Sequence, residues 1–119
     1  MRVKDAVGRY GEDLAEAALR EAGLTVLERN WRCPAGDIDL VAHEGAAVVF
    51  VEVKTRSSLA YGDPAEALSR AKVARLRRLA CQWLIEHPEQ RQHEVRFDVV
   101  AVVRLTESGP SVRHIRAAF

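Results

Sequence analysis

The fold is decided by residues 36–56, which read GDIDLVAHEGAAVVFVEVKTR. Two strands are predicted in this stretch, from Asp37 to Ala42 and from Ala46 to Thr55, joined across residues 43–45. Residues 48–53 are almost uninterrupted in apolar side chains, which is typical of a strand covered on both faces. We therefore expect the second of these strands in the middle of a sheet.

Polar side chains interrupt both strands. Glu52 and Lys54 are two residues apart and therefore point to one face of the central strand. In the preceding strand we expect Asp39 on one face and its neighbours Ile38 and Leu40 on the other. Two carboxylates on a shared, partly buried face repel by roughly 4 kcal/mol at a separation of about 4 Å. A divalent cation removes that cost, and oxygen ligands favour Mg²⁺ or Mn²⁺.

The hairpin register decides whether Asp39 and Glu52 share a face. A two-residue turn at 44–45 pairs position 43 with position 46 and makes Asp39 the diagonal neighbour of Glu52, at roughly 7 to 8 Å. A four-residue turn would pair the two residues directly, whereas an odd-length turn would place them on opposite faces. The alternative to a metal site is a solvated sheet face on which Glu52 and Lys54 form weak ion pairs.

The rest of the chain supplies helices and strands that complete an α/β fold. Apolar residues recur at three- and four-residue spacing from Lys4 to Ala22, which indicates an amphipathic helix that Gly23 can terminate. A second, long helix is predicted from the pair Asp63-Pro64, an N-cap followed by proline, to a residue before Pro88. The remaining strands are predicted at 24–31, 95–103 and 111–116. The order is α-β-β-β-α-β-β, a mixed sheet flanked by helices.

Composition limits the class of protein. The 119 residues form one continuous unit, 1–119, and 48% of them are hydrophobic, which is enough for a single core. No run approaches the roughly 18 apolar residues of a membrane span, and the N-terminus lacks the apolar stretch of a signal peptide. We therefore expect a cytoplasmic protein without membrane contact. The four histidines have no shared spacing and are expected at the surface or in turns.

A net charge of +1 is too small for the overall charge of the protein to attract nucleic acid. Any such binding therefore has to come from a local cluster of basic residues. Basic residues crowd the second predicted helix, and another leads toward that helix from the central strand. We interpret them as a stripe that attracts a nucleic-acid backbone, with a solvated helix face as the alternative. These residues are Arg56, Arg70, Lys72, Arg75 and Arg78.

The pattern of Asp39 followed by Glu52-x-Lys54 resembles the signature of the PD-(D/E)xK nuclease superfamily, whose core has the order α-β-β-β-α-β. A longer set of motifs resembles the YraN-type family of bacterial proteins, which has no assigned activity and is similar in fold to archaeal Holliday-junction resolvases. This resemblance covers residues 8 to about 103 and implies a restriction-endonuclease-like fold. The motifs are Gly11-Glu12, Asn30-Trp31-Arg32, Gly36-Asp37-Ile38-Asp39-Leu40, Val49 to Arg56 and Arg96-Phe97-Asp98-Val99-Val100.

Position by position, the resemblance implies roles for single residues. Asp39 and Glu52 correspond to the metal-binding acids, and Lys54 corresponds to the catalytic lysine. Glu12 corresponds to the acid that resolvase-like proteins supply from their first helix, although its position is also consistent with a glutamate that is merely solvated. The backbone carbonyl of Val53 is the implied further ligand of the ion.

The resemblance thus implies an endonuclease that uses Mg²⁺ or Mn²⁺ to hydrolyse DNA, with branched or otherwise structured DNA as the implied substrate. A resolvase-like role would also need a homodimer, because two symmetric cuts need two sites. Two positions depart from the patterns, since Ile38 replaces a proline and Asp37 replaces a commoner glutamate. The alternatives are a catalytically silent nucleic-acid-binding module on the nuclease scaffold and a structural interaction domain without nucleic acid.

Overall fold

In the computed structural model, two helices cover opposite faces of one five-stranded sheet. The structure describes residues 3–58, 68–91 and 93–119. The predicted α/β class and the order α-β-β-β-α-β-β are confirmed. Within these ranges the elements are α1 (Val3–Glu21), β1 (Thr25–Cys33), β2 (Gly36–Glu44), β3 (Ala47–Arg56), α2 (Arg70–Glu86), a short 3-10 helix (Pro88–Gln90), β4 (Glu94–Val103) and β5 (Ser111–Ile115).

The strands lie in the order β1-β2-β3-β4-β5, so β3 is the central strand, as its apolar run predicts. β1, β2 and β3 form an antiparallel meander, and β5 is antiparallel to β4. β3 and β4 are parallel. A parallel pair needs a long crossover connection, and α2 lies in that connection. The mixed sheet flanked by helices is therefore confirmed.

Each face of the sheet has its own hydrophobic cluster. On one face Ala15 and Leu19 of α1 pack with strand residues that include Val49. On the other face Trp83 of α2 packs with strand residues that include Phe50. Because successive residues of β3 serve opposite clusters, the strand needs apolar side chains at nearly every position. Full burial of one such side chain stabilises the fold by roughly 1.5 to 3 kcal/mol.

The end of α1 follows the prediction. Gly23 has φ +95° and donates its N–H to Arg20, while Leu24 donates to Leu19. These two bonds satisfy carbonyls that the helix end leaves free, in a geometry that a glycine adopts without strain.

No helix formed by the described residues is long and apolar enough to cross a membrane.

The start of α2 differs from the prediction. The helix begins at Arg70, and its N-cap is Ser69, whose side-chain oxygen accepts the N–H of Lys72. Residues 68 and 69 are not helical, so a helix that runs unbroken from Asp63 is wrong. The predicted cap at Asp63-Pro64 itself lies outside the described residues. Ser69 and Asp63 carry the same N-cap signal in the sequence, because the side chains of serine and aspartate both accept free N–H groups of a first turn.

The hairpin between β2 and β3 has a register shifted from the expected one. Glu44 pairs with Ala47, so the two-residue turn is at 45–46 rather than at 44–45. Gly45 has φ +57° and takes the first central position, where a type II′ turn requires a positive φ. The described pairing ends at Leu40 and Val51, and the same register continued by one residue sets Asp39 opposite Glu52. The diagonal register is therefore wrong, and the described pairs follow the register of the direct alternative.

Strand alternation also breaks beside Asp39. Leu40 packs in the cluster under α1, whereas Ile38 packs in the cluster under α2. Two residues that are two positions apart would share a face in a regular strand, so the expectation of a common face for this pair is wrong. In the facing strand Asn30 has φ +55°, which marks an irregular residue at the same level. β1 and β2 thus change faces together, with Asp39 at the point of change.

A polar cluster ties the C-terminal segment to β4. Asp98 is fully buried and accepts both Arg96 (2.9 Å) and Nε2 of His114 (2.7 Å), together with the backbone N–H of Ala117 (3.0 Å). Burial alone would raise the pKa of Asp98, but these donors lower it to about 2. The expectation that every histidine lies at the surface or in a turn is wrong for His114, which is 10% exposed within β5.

Candidate active site

A cleft of about 520 Å³ opens where β2 and β3 separate, between the first half of α1 and the first turns of α2. The break in strand pairing beyond Leu40 creates the gap, because backbone groups there no longer face each other. Four acids and four bases are among the residues that line it: Glu12, Asp37, Asp39 and Glu52, and Lys54, Arg56, Lys72 and Arg75. The tertiary structure thus brings together side chains from four separate elements.

Asp39 occupies the gap itself. One of its carboxylate oxygens accepts the N–H of Val53 at 2.8 Å, in the place of a sheet hydrogen bond. Within a strand the N–H and C=O of one residue point to the same side, so the carbonyl of Val53 also faces the gap. Burial and the nearby charge of Glu52 raise the pKa of Asp39 to about 7, although the Val53 N–H works in the opposite direction. The surroundings of Asp39 therefore stabilise its ionised form poorly.

Glu52 is buried and has its own cation. Nζ of Lys72, from the first turn of α2, lies 2.7 Å from Oε1 of Glu52. Burial lowers the pKa of Lys72, but the bond to Glu52 and the charge of Asp39 together raise it above its ordinary value. The weak pairs expected between Glu52 and Lys54 on a solvated face are not what holds this carboxylate, since it is only 8% exposed and binds Lys72.

Lys54 lies in the same cleft with a different electrostatic environment. Burial and the neighbouring ammonium of Lys72 hold the pKa of Lys54 below its ordinary value, although the charge of Glu52 works against the shift. An ammonium with a lowered pKa gives up its proton more readily than a solvated lysine does. Lys54 is therefore a cation of the cleft that holds its proton less tightly than a solvated lysine does.

Glu12 reaches the cleft from α1 but is held by other partners. Its Oε1 accepts Nδ2 of Asn30 at 3.1 Å and lies 3.5 Å from Arg29. Its charge contributes to the raised pKa of Asp39. Among the described residues no group of three or more His, Cys, Asp or Glu side chains has the geometry to hold a metal ion. Glu12 thus lines the cleft, bound to Asn30 and Arg29.

The oxygen donors present fit Mg²⁺ or Mn²⁺ better than zinc. Mg²⁺ is usually held by one or two carboxylates and keeps several waters, so Asp39, Glu52 and the Val53 carbonyl would suffice. The raised pKa of Asp39 indicates that positive charge in the site compensates its carboxylate poorly, whereas Lys72 compensates Glu52. A bound divalent cation relieves that shortage of positive charge.

The predicted basic stripe divides into two groups. Lys72 binds Glu52, and Arg56 and Arg75 line the cleft beside it. Arg70 and Arg78 are exposed on α2 and remain available to an external anion. The role of Lys72 inside the cleft was missed by sequence reasoning. A signal for it exists, since bases in the first turn of a helix oppose the helix dipole and are unfavourable there unless an anion lies nearby.

Close approach of α1 to β3 is made by one glycine. A Cβ added at Gly11 would clash with Oγ1 of Thr55 and would lie 3.0 Å from its Cβ, so that rotation of the threonine gives no relief. Gly8 has nothing within 4 Å of the same added atom. Gly11 therefore marks the contact of α1 with β3, whereas Gly8 has open space beside it.

Gly11→Ala is expected to lower the free energy of unfolding by about 1 to 3 kcal/mol, because α1 must move away from Thr55. Urea unfolding of the purified protein measures the change. Gly8→Ala is the matched control, and helix propensity alone should make it more stable by up to about 1 kcal/mol. Equal stabilities of the two variants would contradict the proposed contact.

Comparison with known proteins gives consistent matches along the chain. Residues 11–102 match the family described as Uncharacterised protein family UPF0102. A UPF0102 protein of Beutenbergia cavernae is 59% identical over 116 residues, which cover 98% of each chain. A UPF0102 protein of Frankia casuarinae is 52% identical over 119 residues and the full length of both. A UPF0102 protein of Kineococcus radiotolerans is 53% identical over 116 residues, 97% of this chain and 94% of the other.

Proposed function

The chain belongs to the Uncharacterised protein family UPF0102, and from that premise we propose that it is a divalent-metal-dependent endonuclease that hydrolyses phosphodiester bonds in DNA. One observation carries the proposal: Asp39 and Glu52 line one cleft beside Lys54, and burial together with the charge of Glu52 raises the pKa of Asp39 to about 7. A solvated sheet face would not bury these groups. Mg²⁺ or Mn²⁺ is the implied cofactor.

The residues of the chain would divide the work as follows. Asp39, Glu52 and the Val53 carbonyl would hold the cation. A divalent ion held there supplies an activated water and neutralises the charge that develops on the phosphate. Lys54, whose pKa is lowered by burial and by Lys72, would orient the attacking water or stabilise the phosphate oxygens.

Substrate recognition would rest on basic residues around the cleft. Arg56 and Arg75 line it, and Arg70 and Arg78 are exposed on the same helix, α2. Contacts of this kind bind the phosphate backbone and weaken steeply as the salt concentration rises. Branched DNA as the substrate, a homodimer and a cytoplasmic location stay predictions of the resemblance to resolvases and of the sequence.

Glu52→Ala is expected to reduce DNA cleavage by roughly a hundredfold or more, because the variant loses a charged group at the reacting centre. The measurement is a cleavage panel of single-stranded, duplex, flapped and four-way DNA with Mg²⁺ and with Mn²⁺. Glu107→Ala, which removes an exposed glutamate outside the cleft, is the matched control and should cut at the wild-type rate. Robust cutting by Glu52→Ala would reject the assignment.

A catalytically silent nucleic-acid-binding module is the second candidate. The exposed Arg70 and Arg78 favour it, because they would bind a phosphate backbone without any help from a metal ion. Salt-sensitive DNA binding without product under any divalent ion would select this function over the nuclease. Charge reversal, Arg75→Glu with Arg78→Glu, without change in DNA affinity would instead indicate an interaction domain that does not bind nucleic acid.

A further inference from the structure

The ion pair of Glu52 occupies a position that the proposed function gives to a metal ion. Nζ of Lys72 lies 2.7 Å from Oε1 of Glu52, a carboxylate whose side chain is 9% exposed. The charge of Asp39 also acts on this ammonium. The ammonium of Lys72 thus lies beside Glu52 and within the electrostatic influence of Asp39. A divalent ion that bound Glu52 would have to compete with it.

On the basis of the proposed function, we propose that Lys72 is the internal counter-ion of the metal-free site, that a divalent cation displaces it from Glu52, and that the displaced ammonium then binds a phosphate of the DNA. The exchange is ionic. No covalent bond forms or breaks, and Lys72 keeps its proton throughout. Lys72 would therefore couple metal binding to substrate binding.

The side chain of Lys72 has the freedom that this exchange needs. It is 27% exposed and lines the open cleft, so the ammonium can move without unpacking a core. Lysine carries a compact charge on a flexible four-carbon stem, unlike the rigid fork of arginine. A divalent ion on Glu52 would repel the ammonium, since the two positive charges would share one carboxylate. The mouth of the cleft is the direction that remains open.

Other positive side chains of the cleft, Lys54, Arg56 and Arg75, favour an anion there. Lys54 lies close enough for each lysine to shift the pKa of the other. Lys72 is also the third residue of α2, whose first turn contains Arg70 and no acid. Positive side chains in a first turn are unfavourable beside the helix dipole unless an anion compensates them. Glu52 compensates Lys72 before the exchange, and a substrate phosphate would do so afterwards.

A merely structural ion pair leads to different expectations. If Lys72 only held Glu52 in place, its removal would leave metal affinity unchanged or lower it, because the ligand would be less ordered. If Lys72 competes with the ion, its removal raises metal affinity. The sign of the change therefore separates the two roles without any measurement of cleavage.

Lys72→Met is the test, since methionine keeps much of the apolar stem and removes the charge. Mn²⁺ binding to the metal-free full chain, followed by electron paramagnetic resonance, should become about tenfold tighter. Arg78→Met removes one exposed charge from the same helix, outside the cleft, and should change Mn²⁺ affinity by less than about twofold. Mn²⁺ binding by Lys72→Met that is no tighter than that of Arg78→Met would overturn the proposal.

DNA binding supplies the second measurement. With Ca²⁺ as a probe ion, Lys72→Met should bind duplex DNA about tenfold more weakly than the wild type, and without metal the two should bind alike. Arg78→Met should weaken binding to the same degree in both conditions. An equal loss for Lys72→Met with and without Ca²⁺ would overturn the coupling. Lys72→Gln repeats both measurements if the methionine variant does not fold.

These outcomes separate the role of Lys72 from the nuclease function. Tighter Mn²⁺ binding and metal-dependent DNA binding, with no cleavage by any protein, would support the exchange and reject the nuclease. Wild-type cleavage that needs Glu52, with unchanged Mn²⁺ affinity in Lys72→Met, would do the reverse. Absence of divalent-ion binding by both wild type and Lys72→Met would overturn both.

Discussion

Asp98→Asn is expected to lower the free energy of unfolding at neutral pH by about 3 to 5 kcal/mol, since it breaks a buried ion pair from one side. The carboxylate accepts two bonds from Arg96 and one each from His114 and the Ala117 N–H. An amide offers only one acceptor oxygen to these donors. Arg96 is partly exposed and would keep Glu44 at 2.7 Å as its anionic partner, whereas the buried end of the cluster and the C-terminal segment would lose theirs.

The pH dependence gives a sharper form of this prediction. The pKa of Asp98 in the folded protein, about 2, is below its ordinary value of 3.8. The stability that Asp98 contributes is therefore complete above about pH 4 and is lost as the pH falls through about 2. Urea unfolding between pH 2 and pH 7 should show the wild type and Asp98→Asn converging toward acid.

Glu107→Gln is the control for Asp98→Asn. It makes the same change of charge at an exposed position and should alter the free energy of unfolding by less than about 0.5 kcal/mol. A difference between wild type and Asp98→Asn that stays constant over the pH range would show that packing, rather than charge, stabilises the cluster. A small loss at neutral pH would contradict the buried ion pair.

Asp39→Asn is expected to stabilise the metal-free protein at pH 8 by up to about 4 kcal/mol. The pKa of Asp39 is raised from 3.8 to about 7, roughly three pH units at 1.36 kcal/mol each. Asparagine keeps an oxygen that can accept the Val53 N–H and removes the charge that burial and Glu52 make unfavourable. Such a gain would measure how much stability the charge of Asp39 costs the metal-free protein.

The sign follows from proton binding. A raised pKa means that the folded protein holds a proton which the unfolded chain releases, so the wild type loses stability as the pH rises from about 4 through about 7. Asp39→Asn does not titrate there, and its advantage should disappear at acid pH. Asp37→Asn, an exposed neighbour, is the matched control with little expected effect. An advantage of Asp39→Asn that is independent of pH would contradict the raised pKa.

Metal should narrow the difference in stability between the two proteins. Saturating Mg²⁺ or Mn²⁺ stabilises the state that binds it, by about 2.7 kcal/mol at a hundredfold excess over the dissociation constant. The wild type should gain this stability at pH 8, and Asp39→Asn should gain far less. Thermal unfolding with and without the ion measures both. Equal gains would show that Asp39 is not a ligand.

Much of the fold could be predicted from the chain because the signals are local. The apolar run of β3, the helical spacing of α1 and Gly23 each reflect the backbone geometry of a few residues. The pairing register of β2 and β3 was harder to predict from the sequence. It depends on which side of Gly45 the turn forms, a choice of one residue that moves every pair in the hairpin.

By itself the sequence determined which residues carry charge into an apolar sheet, and so it determined Asp39, Glu52 and Lys54 as the centre of interest. Their spacing could indicate a shared face but not the break in pairing that places Asp39 between two strands. Only the tertiary structure decided which cation meets Glu52. Lys72 is twenty residues further along the chain, and nothing in local spacing relates the two. They meet because the parallel pairing of β3 and β4 carries α2 back across the sheet, which brings its first turn over the buried carboxylate.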